Sequence, residues 1–199
     1  MKMFSHSPTH GVFSEAHDTP VFGFWLYLMS DALIFASLFA TYAVLHGNVF
    51  GGPGAKSLFH LPYVLAETLL LLTSSFTCGL GTLSLSRNSV RQTFVWFSAT
   101  LLLGLSFLGL ELRELYALTL AGHGPQASGF LSAYFTLVGT HGLHVAFGTL
   151  WILVMLVHMA RSGLTEANVR RLTLLSLFWH FLDLIWIFIF TIVYLLPFV

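Results

Sequence analysis

VFGFWLYLMSDALIFASLFATYAVL, residues 21–45, is 25 residues long and carries one charged side chain, Asp31. A helix rises about 1.5 Å per residue, so this run can cross a hydrocarbon layer roughly 30 Å thick. Four more runs of the same kind follow: Leu61 to Leu85, Phe94 to Leu118, Leu131 to Ala160 and Leu172 to Phe198. Between them lie short segments rich in turn formers, GNVFGGPGAKS, SRNSVRQ, AGHGPQASG and RSGLTEANVRR. The predicted fold is all-α: an integral membrane bundle of five transmembrane helices at about 21–45, 61–85, 94–118, 131–160 and 172–198. These form one domain, residues 21–199, behind a polar cytoplasmic tail, residues 1–20.

Composition agrees with that class. Hydrophobic residues make up 56% of the chain and charged residues only 8%, with mean hydropathy +0.84. Soluble domains carry about 25% charged residues. Formal net charge is zero, and no basic patch marks a nucleic-acid partner. The tail has no apolar stretch followed by a small-residue cleavage site, so it does not read as a signal peptide and the first helix serves as the insertion signal. Its His6, His10 and His17 read as solvated histidines rather than a metal-binding tail. The single Cys78 has no internal disulfide partner and lies in an apolar run, where it acts as a small hydrophobe.

Orientation follows from the basic residues. Lys2, Arg87, Arg91, Arg161, Arg170 and Arg171 belong to the tail and to the second and fourth loops, against Lys56 alone in the first and third. The N-terminus is expected inside and the C-terminus outside. Arg113, within the third helix beside Glu111 and Glu114, is expected to be paired with them.

Ionisable residues inside apolar runs are costly and normally face protein, where they mark function or specific assembly. With the N-terminus inside, each receives a depth. Asp31 lies roughly 15 Å in from Val21, and His180 and Asp183 share a face of the fifth helix roughly 12 to 17 Å from its inner end. These are expected to form an inner-to-central layer. Glu67 lies roughly 9 Å from the outer end of its helix, Glu111 and Glu114 share a face near the outer end of the third, and His141 and His144 share one roughly 14 to 20 Å down the fourth. These five form an expected outer layer, in which carboxylates and imidazoles can hydrogen-bond across the bundle.

Three readings of the layers compete. The i, i+3 pairs could form a metal cage, but a di-iron site needs two Glu-x-x-His units and two more Glu, whereas this chain offers Glu-x-x-Glu, His-x-x-His and His-x-x-Asp. The acids could form a proton or ion pathway, although no inverted repeat or broken helix points to a transporter. The third reading is structural: the groups lock the helices together and against partner subunits. Small residues favour packing, with Ala32, Ala36 and Ala40 on one face of the first helix and Gly79, Gly81, Gly104, Gly109, Gly139, Gly142 and Gly148 in the later ones. Trp25, Tyr27, Trp151 and Tyr194 are expected in interfacial belts.

FGFWLYLMSDALIFASLFATYAVL (22–45), GFLSAYFTLVGTHGLHV (129–145) and LSLFWHFLDLIWIFIFTIVY (175–194) closely resemble subunit III of the haem-copper terminal oxidases. The resemblance covers all five helices. Its most specific element is GTHGLHV combined with WHFLDLIW. Seven-helix members of that family carry two further helices across a lipid-filled cleft. Five helices, with GGPGAKSLFHLPYVLAETLLLL (51–72) and its Glu67, are similar to the cytochrome bo-type ubiquinol oxidase branch.

The resemblance implies that Asp31, after Ser30, stands where the family places a buried carboxyl, usually Glu, near the subunit I interface. It further implies that Glu114, His141, His144, His180 and Asp183 match the family's intramembrane polar positions. It implies no catalytic, cofactor-binding or metal residue in this chain. Haem and copper would reside in subunit I, the main partner, with subunits II and IV completing the complex. Ubiquinol would be the substrate of that complex, and phospholipid a bound lipid. The expected role is a non-redox accessory subunit of a proton-pumping oxidase in the bacterial inner membrane, stabilising subunit I and supporting proton uptake. Alternatives are the same subunit of a cytochrome c-oxidising, aa-type enzyme and, more distantly, a stand-alone proton-conducting or metal-binding membrane protein.

Overall fold

A computed structural model of the chain describes residues 12–52, 54–59 and 61–198, with side chains from Val21 onward except that of Ser57. Five long helices carry the fold: α1 (Val12–Leu45), α3 (Leu61–Ser86), α4 (Val90–Leu120), α5 (Gly129–Ser162) and α6 (Glu166–Ile189), with a one-turn α2 (Ala55–Leu58) in the first loop. Each contains a segment long and apolar enough to cross a membrane. No strand occurs among the described residues. The helices begin or end several residues outside the apolar runs, because backbone hydrogen bonding continues into the polar flanks where hydrophobicity has stopped. Of the expected tail, residues 1–11, with His6 and His10, lie outside the described residues, and α1 already begins at Val12, nine residues before the apolar run.

Helix ends are set by local chemistry. The Ser128 side chain accepts from the Leu131 N–H at the start of α5, and Thr165 does the same for Asn168 at the start of α6. Gly163, at φ +66°, ends α5 in the left-handed region that favours glycine. Beyond Ile189 the chain continues α6 as a π-helical stretch, Phe190–Leu195, and a 3₁₀ turn, Leu196–Phe198.

The buried positions repeat in a heptad-like pattern. In α3 they include Val64, Leu71, Cys78 and Leu85, with Glu67, Ser74 and Gly81 between; in α4 they are Thr93, Phe97, Thr100, Gly104, Phe107, Glu111 and Leu118. A repeat alternating three and four residues keeps one seam of each helix on its neighbour. α3 packs on α4, α4 on α5, α5 on α6, and α6 closes back on α3, making a four-helix ring. α1 stands outside this ring, against α5 and to a lesser extent α6, using the narrow stripe Leu28, Asp31, Phe35 and Tyr42. Its expected small-residue face, Ala32, Ala36 and Ala40, points away from the bundle.

The glycines divide. A Cβ at Gly104 would lie 2.7 Å from Trp179 Cη2 and one at Gly148 would lie 3.0 Å from Trp179 Cζ3, so the indole is clamped between α4 and α5. Gly81 admits Phe97, and Gly142 admits the Glu111 carboxyl. Gly79, Gly109 and Gly139 face open space and serve no close approach within the chain. Trp25 and Tyr27 are exposed and Trp151 is half-buried, but Tyr194 is not a belt residue: it is fully buried. The π-helical stretch that contains it re-phases the end of α6 and turns the ring inward.

Candidate functional site

The seams carry the ionisable residues, and the structure sorts them into three groups. The first is a carboxyl cluster. Glu67 on α3 and Glu111 on α4 are 0% and 1% exposed, and Glu114 joins them one turn further along α4, close to both. The phenol of Tyr194 donates to Glu114 Oε2 at 3.4 Å and lies 2.9 Å from the Tyr134 hydroxyl. Both oxygens of Glu67 and both of Glu111 have no hydrogen-bond partner among the described residues. Arg113 does not relieve them. It is exposed and makes no ion pair among the described residues, because a residue two positions from Glu111 points off its face. The expected pairing of Arg113 is therefore corrected.

His141 and His144 do not act as a unit. They are one helical turn apart but roughly 60° apart around an axis with 3.6 residues per turn, and α5 has neighbours on several sides. His141 points into the ring, fully buried, and donates from Nε2 to the Leu182 carbonyl at 3.2 Å, beside Trp186 and Phe107. His144 points to α1. Its Nδ1 donates to the Thr140 carbonyl at 2.8 Å, and its Nε2 lies 3.7 Å from Asp31 Oδ2. This pair joins residues expected in separate layers, and among the described residues Asp31 makes no ion pair with His180, so the two-layer expectation is corrected at Asp31 and His144. Tyr27, one turn before Asp31, is within hydrogen-bonding reach of its carboxyl.

The third group lies between α6 and α3. His180 Nδ1 is 2.7 Å from the Ser75 hydroxyl, and Asp183, 6% exposed, also lies within reach of Ser75. Sequence reading missed Ser75 and two neighbouring anchors. Trp179 Nε1 donates to Ser74 and Trp186 Nε1 donates to Thr68, at 3.0 and 3.1 Å. The signal was present: two indoles seven residues apart in an apolar helix each need an acceptor, and α3 supplies hydroxyls on its seam. Among the described residues, no three His, Cys, Asp or Glu side chains come together in a way that could hold a metal ion.

A ring of four helices with sealed carboxyls, and a fifth helix packed against it along a narrow stripe with one polar pair, defines a multi-pass helical membrane protein. A family profile described as "Cytochrome c oxidase subunit III" matches residues 4–197, and the chain belongs to that family. It is 53% identical over 92% of its length, and 88% of the relative's, to "Cytochrome bo(3) ubiquinol oxidase subunit 3" of Pseudomonas aeruginosa. It is 47% identical to "Cytochrome c oxidase subunit 3" of Bacillus sp. strain PS3, over 87% of this chain and 84% of that one. It is 41% identical to "Quinol oxidase subunit 3" of Bacillus subtilis, over 92% and 90%.

Proposed function

We propose that the chain is the subunit III of a quinol-oxidising haem-copper oxidase in a bacterial plasma membrane, with no redox centre or catalytic group of its own. The observation that carries the quinol assignment is the 53% identity across 92% of the chain to a ubiquinol oxidase subunit. Haem and copper reside in subunit I, the main partner, and subunits II and IV complete the assembly. α1 is the helix that faces subunit I: it uses one stripe within this chain and leaves Phe22, Met29, Leu33 and Val44 exposed. Asp31, Glu67, Glu111, Glu114, His141, His144, His180 and Asp183 hold helices and subunits in register and sustain proton delivery to subunit I. The N-terminus is cytoplasmic.

The deciding experiment is to purify the complex through a tag on this chain and assay ubiquinol and reduced cytochrome c side by side. Oxygen uptake with ubiquinol alone is expected. Uptake with cytochrome c alone would establish the second reading, which the 47% identity to a cytochrome c oxidase subunit favours. Metal analysis of the separated subunit is expected to find no stoichiometric iron, copper or zinc. For orientation, a cysteine at Ser57 should react with an impermeant thiol reagent from outside and one at Ser89 should not; the reverse pattern would invert the topology.

A further inference from the structure

The seam between α1 and α5 opens outward into a groove of about 520 Å³, lined by Tyr27 from α1 and Leu143, His144, Ala146, Phe147 and Leu150 from α5. That is the size and character of small-molecule sites, which run about 300 to 1,000 Å³, mostly apolar with a few placed polar groups. Here the polar groups are His144 and Tyr27, with Asp31 behind them.

The hydrogen-bond inventory says what they would take. A carbonyl can only accept, so the 2.8 Å contact to Thr140 O places a hydrogen on His144 Nδ1. In the neutral ring Nε2 is then an acceptor. The facing Asp31 Oδ2 lies 3.7 Å from Nε2, beyond hydrogen-bond length, and has no hydrogen-bond partner among the described residues. No hydrogen bond joins the two at this separation, so the lone pair of His144 Nε2 is open to an occupant of the groove that brings a donor. Depth narrows the class. Asp31 lies roughly 15 Å along its helix from Val21, close to the bilayer midplane. A phospholipid headgroup is charged and stays at the interface, because charge at the bilayer centre is costly. An uncharged aromatic ring bearing hydroxyls on an apolar tail can reach that level.

We propose that the α1–α5 groove binds the ring of a quinol, with a ring hydroxyl donating to His144 Nε2 and the ring resting against Tyr27 and Phe147. The assignment of quinol as occupant rests on the quinol reading above, while the groove and its acceptor do not. The seam is also where α1 meets subunit I in the proposed assembly, so a quinol held there waits at the edge of the redox subunit.

The test uses the intact complex in its own lipids with an azido-ubiquinol probe, illuminated in the reduced form. Labelling is expected on Tyr27 or on the peptide from Leu143 to Leu150, displaced by excess ubiquinol-1 and not by added phosphatidylglycerol. Ala146→Phe, which fills the groove, should abolish this label while leaving labelling of the other subunits unchanged. His144→Leu should lower it about tenfold, the equivalent of roughly one hydrogen bond. If Ala146→Phe drops the subunit from the complex, Leu150→Trp blocks the other end of the groove and is read in the same way. Label that survives groove filling, that phosphatidylglycerol displaces, or that never falls on these helices would overturn the proposal. The assay of the two electron donors is separate: a complex that oxidises only cytochrome c refutes the quinol reading, and the labelling pattern still decides the groove.

Discussion

The carboxyl cluster and the α1–α5 seam both hold acids at the level of the membrane, and they do so under opposite conditions. Glu67 and Glu111 are buried within the ring, and among the described residues no side chain or backbone group hydrogen-bonds to their four oxygens. Asp31 sits in a seam two helices wide, beside a partly buried imidazole and an exposed phenol. The ring α3–α4–α5–α6 is thus a closed core whose acids are locked in by packing, whereas α1 is held by a narrow stripe with one polar pair at its centre. Packing should dominate the energetics of the first region and hydrogen-bonding chemistry those of the second.

Breaking the core should have the largest effect. Gly104→Leu would drive a side chain into the Trp179 ring, 2.7 Å from where its Cβ would stand. Overpacking of this kind costs about 1 to 3 kcal/mol or more, and here the indole is already hemmed in by Gly104 and Gly148. The variant should accumulate poorly, and its complex should dissociate at lower temperature in a detergent melt. Gly109→Ala, with nothing near its Cβ, should melt like the parent.

The seam should respond to chemistry rather than volume. Asp31→Leu leaves Tyr27 and His144 facing hydrocarbon and should cost about 1 to 3 kcal/mol. Subunit retained per haem after detergent washing would read that loss, together with the working life of the complex. Asp31→Asn keeps shape and an acceptor and should stay near the parent. If Asp31→Leu were retained as well as Asp31→Asn, the polar pair would not be what holds α1.

Smaller still is Tyr194→Phe, which removes the contacts to Tyr134 and Glu114 without changing the packing. It should cost about 1 kcal/mol, measurable as a modest drop in melting temperature. Arg113→Ala should fall within about 0.5 kcal/mol of the parent, as exposed substitutions away from special features do. A large loss would mean that Arg113 reaches the cluster after all.

The five spans were legible because hydrophobic length is a one-dimensional signal, and 21–45 needed no partner to be read. The residues that matter were legible by type: Asp31, Glu67, Glu111, His141 and Asp183 are all buried. Their pairings were not, because depth along a helix can be counted in sequence while angle around it depends on which neighbour stands there. Asp31 and His144 were set in different layers on depth and meet because α1 packs against α5. Arg113 was expected beside the acids on sequence proximity and faces away on helical geometry. Tyr194 was placed in a belt near a helix end, where the π-helical stretch instead turns it inward.

The order in which the helices meet constrains how the protein is made. α1 leaves the ribosome before the other four long helices, yet its main contacts are with α5 and α6, which emerge after α3 and α4, whereas α3 and α4 are joined by a short turn and can close as a hairpin at once. During synthesis α1 therefore waits in the bilayer with Asp31 unmatched while its neighbours assemble without it. That interval is when an insertase or a neighbouring subunit could chaperone it, and truncating the chain after Leu120 should leave an α1 that inserts but never docks.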